Sequence, residues 1–448
     1  MKLEELKRRV DSGEIDTVIV AAPDVSGKLV GKRFTGRMFI DTVAEHGTHG
    51  CNYLLTVDIE MEPQTGFRLA NWEKGFGDFE FRPDLETLRI LPWQTATALV
   101  ICDFHHSDGQ RVNEAPRSVL RSQLERLAKR GLTCNIASEL EFFLFNTNYH
   151  DAFASDYRSL PPSSDYRIDY HIMQPTQDEA LFRQIRNDMV AAEIPVESSK
   201  GEWGRGQHEI NFIYNEPLRV ADIHSVFKQG VKEIATQRSK CVTFMAKPFV
   251  DEPGSSCHIH TSLWRDGKSS FWDDAGKQGS KLFRQFLAGQ MKYSRELCYF
   301  FAPTINAYKR YQSASWAPTK LAWSHDNRTV GFRVVGHGSS FRIENRMPGA
   351  DANPYLAFAA TLIAGNAGID EQLDCGDDYR GNAYVDEKLP SLPKSLREAA
   401  DLLDQSKLAR TALGDDVVDF YVHTARLEVK AFDNTVTDWE RVRYFERI

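Results

Sequence analysis

Between Ser138 and Phe145 the chain reads Ser-Glu-Leu-Glu-Phe-Phe-Leu-Phe. Side chains alternate across a β-strand, so Glu139 and Glu141 share a face with Phe143 and Phe145. Two carboxylates on an otherwise apolar face repel one another and lose hydration unless a cation or a basic partner compensates. A fold that contains this strand must therefore leave that face in water, as a solvated edge, or build a cation site over it. The aromatic flanks favour the second.

Further segments carry matching chemistry. In Gly201-Glu202-Trp203-Gly204-Arg205-Gly206-Gln207-His208-Glu209 the glycines imply a tight turn that returns Glu209 towards Glu202. In Gly254-Ser255-Ser256-Cys257-His258-Ile259-His260-Thr261-Ser262 two imidazoles alternate onto one strand face, each able to ligate a metal or meet a phosphate. Arg342-Ile343-Glu344-Asn345-Arg346 places Arg, Glu and Arg on one face, and Arg310, Arg328 and Arg333 add guanidinium groups suited to carboxylate and phosphate contacts. Each segment alone also reads as a surface loop or an ion-pair ladder. Together they supply Glu139, Glu141, Glu202, Glu209, Glu344 and His258 as ligands for a hard divalent cation, Mg²⁺ or Mn²⁺ rather than zinc. Divalent ions beside arginines are the equipment of phosphoryl transfer. The run Gly27–Arg33 lacks P-loop spacing, and no G-x-G-x-x-G opens a helix after a strand, so an ATP site must be of another kind.

The rest of the sequence sets bounds. With 448 residues the chain can bury a large core without disulfides. A formal net charge of −8 argues against a nucleic-acid partner. No apolar run approaches a membrane span, and the charged N-terminus lacks the apolar region of a signal peptide. Seven scattered cysteines without a C-x-x-C fit a reducing compartment, so a cytoplasmic protein is expected. Up to residue 105 the chain is β-rich, with runs such as Thr17–Val20 and Ala98–Cys102 and a hairpin turn at Asp24–Gly27. Beyond it, Pro116 opens an amphipathic helix closed by Gly131. Asn353-Pro354 opens another that is expected to stop at Gly365, and Thr437 to Glu440 has capping-box spacing. The pattern is α+β, with one domain over 1–105 and a second over 106–448.

In order and wording, ELEFF, GQHE, KPF…GSSCHIHTSL, NAYKR…AP, DNRT and RIENRMPGADANPYLAFAA resemble the glutamine synthetase family, from about residue 15 to the C-terminus. The resemblance implies a small β-grasp N-terminal domain and a large α+β catalytic domain. It also implies a homo-oligomer, commonly a dodecamer of two hexameric rings, in which a neighbour's N-terminal domain completes each site. It implies ATP and two or three Mg²⁺ or Mn²⁺ ions per site. By residue, Glu141, Glu202 and Glu209 match the first metal's ligands, and Glu139, His258 and Glu344 the second's. Arg310 matches the arginine holding the α-carboxylate of glutamate, with Gly254 in the adjoining loop. Arg328 and Arg346 match those contacting the transferred phosphoryl group and the γ-carboxylate. Arg333, His260, Ser262 and Glu197 match nucleotide positions.

The chain departs from glutamine synthetase where ammonium binds. The family's F-D-G-S-S motif is missing. Its counterpart, Thr48-His49-Gly50-Cys51-Asn52-Tyr53, puts His49 at the Asp position. In the family's G-Y-E-A-P flap, Ala314-Ser315-Trp316-Ala317-Pro318 puts Trp316 at the Glu position. A bare ammonium ion then loses anionic partners worth about 1.5–3 kcal/mol each, whereas an organic amine can lie against the indole. His49 becomes a candidate base for the amine proton. The resemblance thus implies a γ-glutamylamide ligase joining glutamate to an organic amine, with ethanolamine, isopropylamine and an aniline-like ring open as acceptors. The alternatives are a glutamine synthetase with a rebuilt ammonium site and a non-catalytic ring.

Overall fold

The computed structural model of the chain describes residues Met1–Ile448. Its first sheet is built from β1 (Thr17–Pro23), β2 (Leu29–Thr35), β3 (Thr48–Cys51), β4 (Asp78–Ile90) and β5 (Thr97–His105), in the order β2-β1-β5-β4-β3. The two apolar runs of the sequence, β1 and β5, pair in parallel at its centre. Asp24–Gly27 is the hairpin turn into β2; Asp24 Oδ1 accepts the N–H groups of Ser26 and Lys28, and Gly27 takes φ +81°.

The second sheet holds β6 (Thr133–Phe145), β7 (Val196–Gly201), β8 (Gln207–Phe212), β9 (Cys241–Thr243) and β10 (Cys257–Arg265). After the short pieces β11 (Lys268–Ser269), β12 (Trp272–Asp273) and β13 (Gln278–Gly279), it is completed by β14 (Trp323–His325), β15 (Phe332–Val335) and β16 (Arg342–Asn345). The order is β14-β15-β16-β10-β6-β8-β7, antiparallel except between β14 and β15. Leu140, Ile210, Ile259 and Ile343 are buried on one face of this sheet. Helices Pro116–Ala128 and Pro217–Gln237 pack on β6, and helix Pro354–Asp370 packs against both of them. By alternation the opposite face is left for the charged residues.

Helix Pro354–Asp370 starts as expected, with Asn353 accepting the Tyr355 N–H, but it runs through Gly365 instead of stopping there. The glycine serves packing. A Cβ at 365 would lie 2.1–2.4 Å from the Phe286 ring, and one at Gly289 would lie 2.1 Å from the Ala364 carbonyl. Close approach of this helix to Lys281–Tyr293 therefore overrides the usual role of glycine as a C-cap. The Thr437–Glu440 capping box forms reciprocally.

One buried ion network ties the first sheet to the helices that cover the second. Arg117, 1% exposed, grips Asp222 with two 2.9 Å bonds and reaches Asp84 on β4 and Asp103 on β5 at 2.7 Å each. Tyr355 donates to Asp222 from helix Pro354–Asp370. Burial by itself would raise the Asp84 pKa, but bonds from Arg117 and Arg219 overcome it and bring the carboxyl to about 2. Arg117→Ala should cost about 3–5 kcal/mol by stranding these carboxylates, read as a lower urea midpoint. Asp84 contributes fully above its ordinary value of 3.8 and loses that contribution as pH falls towards its folded value of about 2. The stability difference between the natural and Arg117→Ala chains should therefore narrow as pH falls from 3.8 towards about 2, read as converging urea midpoints by circular dichroism.

Candidate active site

Strand register assembles the site. Glu139 on β6 stands opposite His258 on β10, and Glu141 opposite Glu209 on β8. His260 faces Glu344 on β16, Glu344 faces Arg333 on β15, and Glu209 faces Lys200 on β7. Six neighbouring strands thus display one polar face, reverse to the isoleucines and leucine that bury against the helices. The glycine-rich turn after β7 carries Glu202, and its return into β8 brings Glu209 back beside it.

Ligand-type atoms of Glu141, Glu202 and Glu209 lie within 4.8 Å of one another, as do those of Glu139, Glu141 and His258, and those of Glu139, His260 and Glu344. His258 Nδ1 is 2.7 Å from Glu139 and 3.4 Å from Glu344, so the three side chains grouped by sequence converge. His260 joins them, 3.3 Å from Glu139. Electrostatics divide the site. Burial, then repulsion from Glu202, pushes the Glu141 carboxyl up; burial, then Glu139 and Glu202, pushes Glu209 up further. Burial also works against ionised Glu344, but the Arg346 guanidinium holds it below the usual range. Burial, then Arg346, lowers His258 and keeps the imidazole neutral and free to ligate. Buried oxygen donors in mutual repulsion, plus neutral imidazole, fit hard divalent cations. Ser256 Oγ and Arg346 Nε, both on the cavity wall, are buried without partners, as polar groups awaiting a ligand are.

These groups line a cavity of about 480 Å³ that also takes in Gly254, Arg310, Trp316, Arg328 and Arg333. Arg310 is buried and fixed by bonds to the Met347 and Arg346 carbonyls. Gly254 backs onto it, since a Cβ there would lie 2.6 Å from Arg310 Cγ. Arg346 donates to Glu344 at 2.6 Å and to the Trp316 carbonyl at 3.2 Å. Arg328 is exposed and makes no ion pair. Trp316 has φ +66°, with Ala314 at +58°, a left-handed backbone costly for non-glycine residues and typical of functional loops.

A second cavity of about 430 Å³ meets the first at Glu139 and Asn211. Glu197, His260 and Ser262 line it, together with Tyr214, Trp264 and Arg342. Arg333, which the resemblance groups with Glu197, His260 and Ser262, lines the first cavity and donates to Glu344 at 3.1 Å. His49 lies exposed on β3 opposite Glu80 and lines neither cavity of its own chain.

Residues 113–444 match the glutamine synthetase catalytic domain. The chain belongs to the glutamine synthetase family. It is 49% identical over 447 residues to the gamma-glutamylethanolamide synthetase of Streptomyces coelicolor, spanning 100% of this chain and 96% of that one. It is 36% identical over 444 residues to a glutamate–isopropylamine ligase of a Pseudomonas species, spanning 98% and 97%. The glutamine synthetase of Thermotoga maritima is more distant, at 30% over 456 residues and 99% of each chain. A solved ADP complex of GmaS superposes with a TM-score of 0.86 at 27% identity, covering 98% and 99%. Within the glutamine synthetase family the chain is thus more similar to these amine ligases than to the Thermotoga enzyme. As in the family, ATP and divalent metal are its cofactors.

Sequence reasoning missed several members of the glutamine synthetase site. Lys200, two residues before Glu202 and so on the same strand face, bonds Glu202 and Asp169 and sits 4.3 Å over the Tyr170 ring. Gln207, within the GQHE motif, donates to Glu141 at 3.2 Å. Period 2 alone would have located Lys200. Its ammonium is the cation nearest Glu202 and competes for the carboxylate that a metal would need. Lys200→Met should therefore bind Mn²⁺ about tenfold more tightly, the equivalent of roughly 1.4 kcal/mol, measured as free Mn²⁺ by electron paramagnetic resonance; unchanged or weaker binding by the folded variant would contradict this.

Proposed function

We propose that the chain joins the γ-carboxylate of glutamate to a short organic monoamine, ethanolamine foremost, at the expense of ATP. It is a C–N-forming ligase. Trp316 carries the reading: an exposed indole lines the substrate cavity where glutamine synthetases set the flap carboxylate that holds ammonium. The similarity to a gamma-glutamylethanolamide synthetase supports the choice of amine.

The roles follow from placement. Glu141, Glu202 and Glu209 would hold one Mg²⁺ or Mn²⁺, and Glu139, His258 and Glu344 another, within the family's two or three ions per site. Bound there, the ions would neutralise phosphate charge. ATP occupies the second cavity with its γ-phosphate at the junction by Glu139; Glu197, His260 and Ser262 attend the nucleotide, and Arg333 attends the phosphates from the first cavity. Glutamate lies with its α-carboxylate at Arg310 and Gly254 and its γ-carboxylate at Arg346. Its attack on the γ-phosphate gives γ-glutamyl phosphate and ADP, with Arg328 and Arg346 stabilising the charge that develops. The neutral amine attacks the acyl carbon, phosphate leaves, and the amine proton passes to a base.

We assign that base to His49 of a neighbouring copy, because His49 lies outside its own chain's cavities. The assembly is then a ring homo-oligomer, a dodecamer in the family's common form. Residues 1–105 would form the domain reaching into the neighbour and 106–448 the catalytic domain. No helix is long and apolar enough to cross a membrane, and a cytoplasmic location suits a consumer of ATP and glutamate.

Two tests separate this reading from ammonium use. Ethanolamine should exceed ammonium in kcat/KM by at least tenfold, with γ-glutamylethanolamide identified by mass spectrometry; ammonium as the best acceptor would overturn the reading. Trp316→Glu, which restores one charged hydrogen bond, should shift the ratio towards ammonium about tenfold or more. For the shared site, His49→Ala and Arg346→Ala chains, each inactive alone, should regain activity when assembled together; no recovery in mixed oligomers would place the base elsewhere.

A further inference from the structure

A second indole stands in the cavity wall, and neither the metal ligands nor the arginines account for it. Trp203 directly follows Glu202, lines the substrate cavity and is 40% exposed. It is nevertheless held in place. Arg167 sits with Cζ 4.8 Å from the ring centroid and donates from Nη1 to the Trp203 carbonyl at 3.0 Å. Arg167 is itself 3.7 Å from Glu252, a carboxylate that also takes a 2.7 Å bond from Arg205. Behind the indole, a Cβ at Gly204 would lie 2.8 Å from the Phe143 ring and from Gln207 Oε1, so the turn is pressed flat onto the sheet. On its open side the ring meets Trp316 at a centroid distance of 6.0 Å and an interplanar angle of 61°.

An aromatic side chain serving the core would be buried. This one is fixed while staying exposed to the cavity, between a metal-type carboxylate and another exposed indole. The Trp316 carbonyl accepts from Arg346, so the flap that carries one ring is tied to the arginine placed at the γ-carboxylate, and the other ring meets it edge-on. The acceptor must bring its nitrogen to the acyl carbon there, and its remaining atoms have to pass the two rings. Rigid rings with two side-chain torsions make a wall that yields little.

We propose that Trp203 is a specificity-determining residue for the acceptor amine: set against Trp316, its indole admits a short unbranched chain beyond the nitrogen and rejects a branched or bulky one. This rests on the amine-ligase reading. A pocket that must exclude one or two carbons discriminates by about 10–200-fold, and removing one wall should forfeit that factor.

The test is internal competition. The full-length enzyme is given ATP, Mg²⁺, glutamate and equimolar ethanolamine and isobutylamine, and the ratio of the two amides is read by mass spectrometry. The natural enzyme should favour ethanolamine, and Trp203→Ala should shift the ratio towards isobutylamine about tenfold or more. Trp203→Phe should shift it less and decides the matter if the alanine variant does not fold. A ratio within twofold of the natural one, in a variant that still forms amide, would overturn the proposal even if total rate fell, because a packing role lowers both products together. Glutamine from contaminating ammonium as the only product of the natural enzyme would instead sink the amine-ligase reading itself.

Discussion

Carboxylates crowded onto one face of a buried sheet are the constraint on which the rest of this structure depends. Glu141 and Glu209 sit directly opposite each other on neighbouring strands, with Glu139 two residues along and Glu202 in the adjoining turn. Like charges at that spacing raise one another's pKa and oppose folding unless cations intervene. The chain supplies some of that charge itself: Arg346 and Arg333 on Glu344, and Lys200 on Glu202. Divalent ions would supply the remainder.

The carboxylate face also explains the architecture around it. Because one face is given over to charge, the reverse must carry the core; Leu140, Ile210, Ile259 and Ile343 bury there, under helices Pro116–Ala128 and Pro217–Gln237, which helix Pro354–Asp370 backs in turn. Those helices need a firm base. Glycines 289, 365 and 368 let helix Lys281–Tyr293 approach helix Pro354–Asp370 at backbone distance, and the Arg117 network locks the first sheet to helices Pro116–Ala128, Pro217–Gln237 and Pro354–Asp370. The Trp203–Trp316 corner stands at the opposite, mobile-substrate side. Its strained flap is bonded to Arg346, which ties the position of Trp316 to that arginine.

Much of this was legible in the sequence where a two-residue period governed it. Glu139 with Glu141, His258 with His260, and Arg342, Glu344 and Arg346 all fall on the face that alternation assigns. Strand register is not encoded locally. Nothing in the sequence by itself set Glu141 opposite Glu209 or Glu344 opposite Arg333, which only the paired strands bring together. Lys200 and Trp203 escaped notice because a lysine and a tryptophan beside a glycine turn read as surface until the sheet brings them over a cavity. Gly365 misled for the reverse reason: the local rule that glycine ends a helix gave way to packing against Phe286.

The central claim is that this carboxylate face activates glutamate as an acyl phosphate that an organic amine then captures. It is tested most directly by following oxygen from glutamate labelled with heavy oxygen in its γ-carboxylate, in the presence of ATP, Mg²⁺ and ethanolamine. One labelled oxygen should appear in the released phosphate and one remain in the γ-glutamylethanolamide. Unlabelled phosphate, released without labelled amide, would mean that ATP is hydrolysed without activating glutamate and would contradict the assignment.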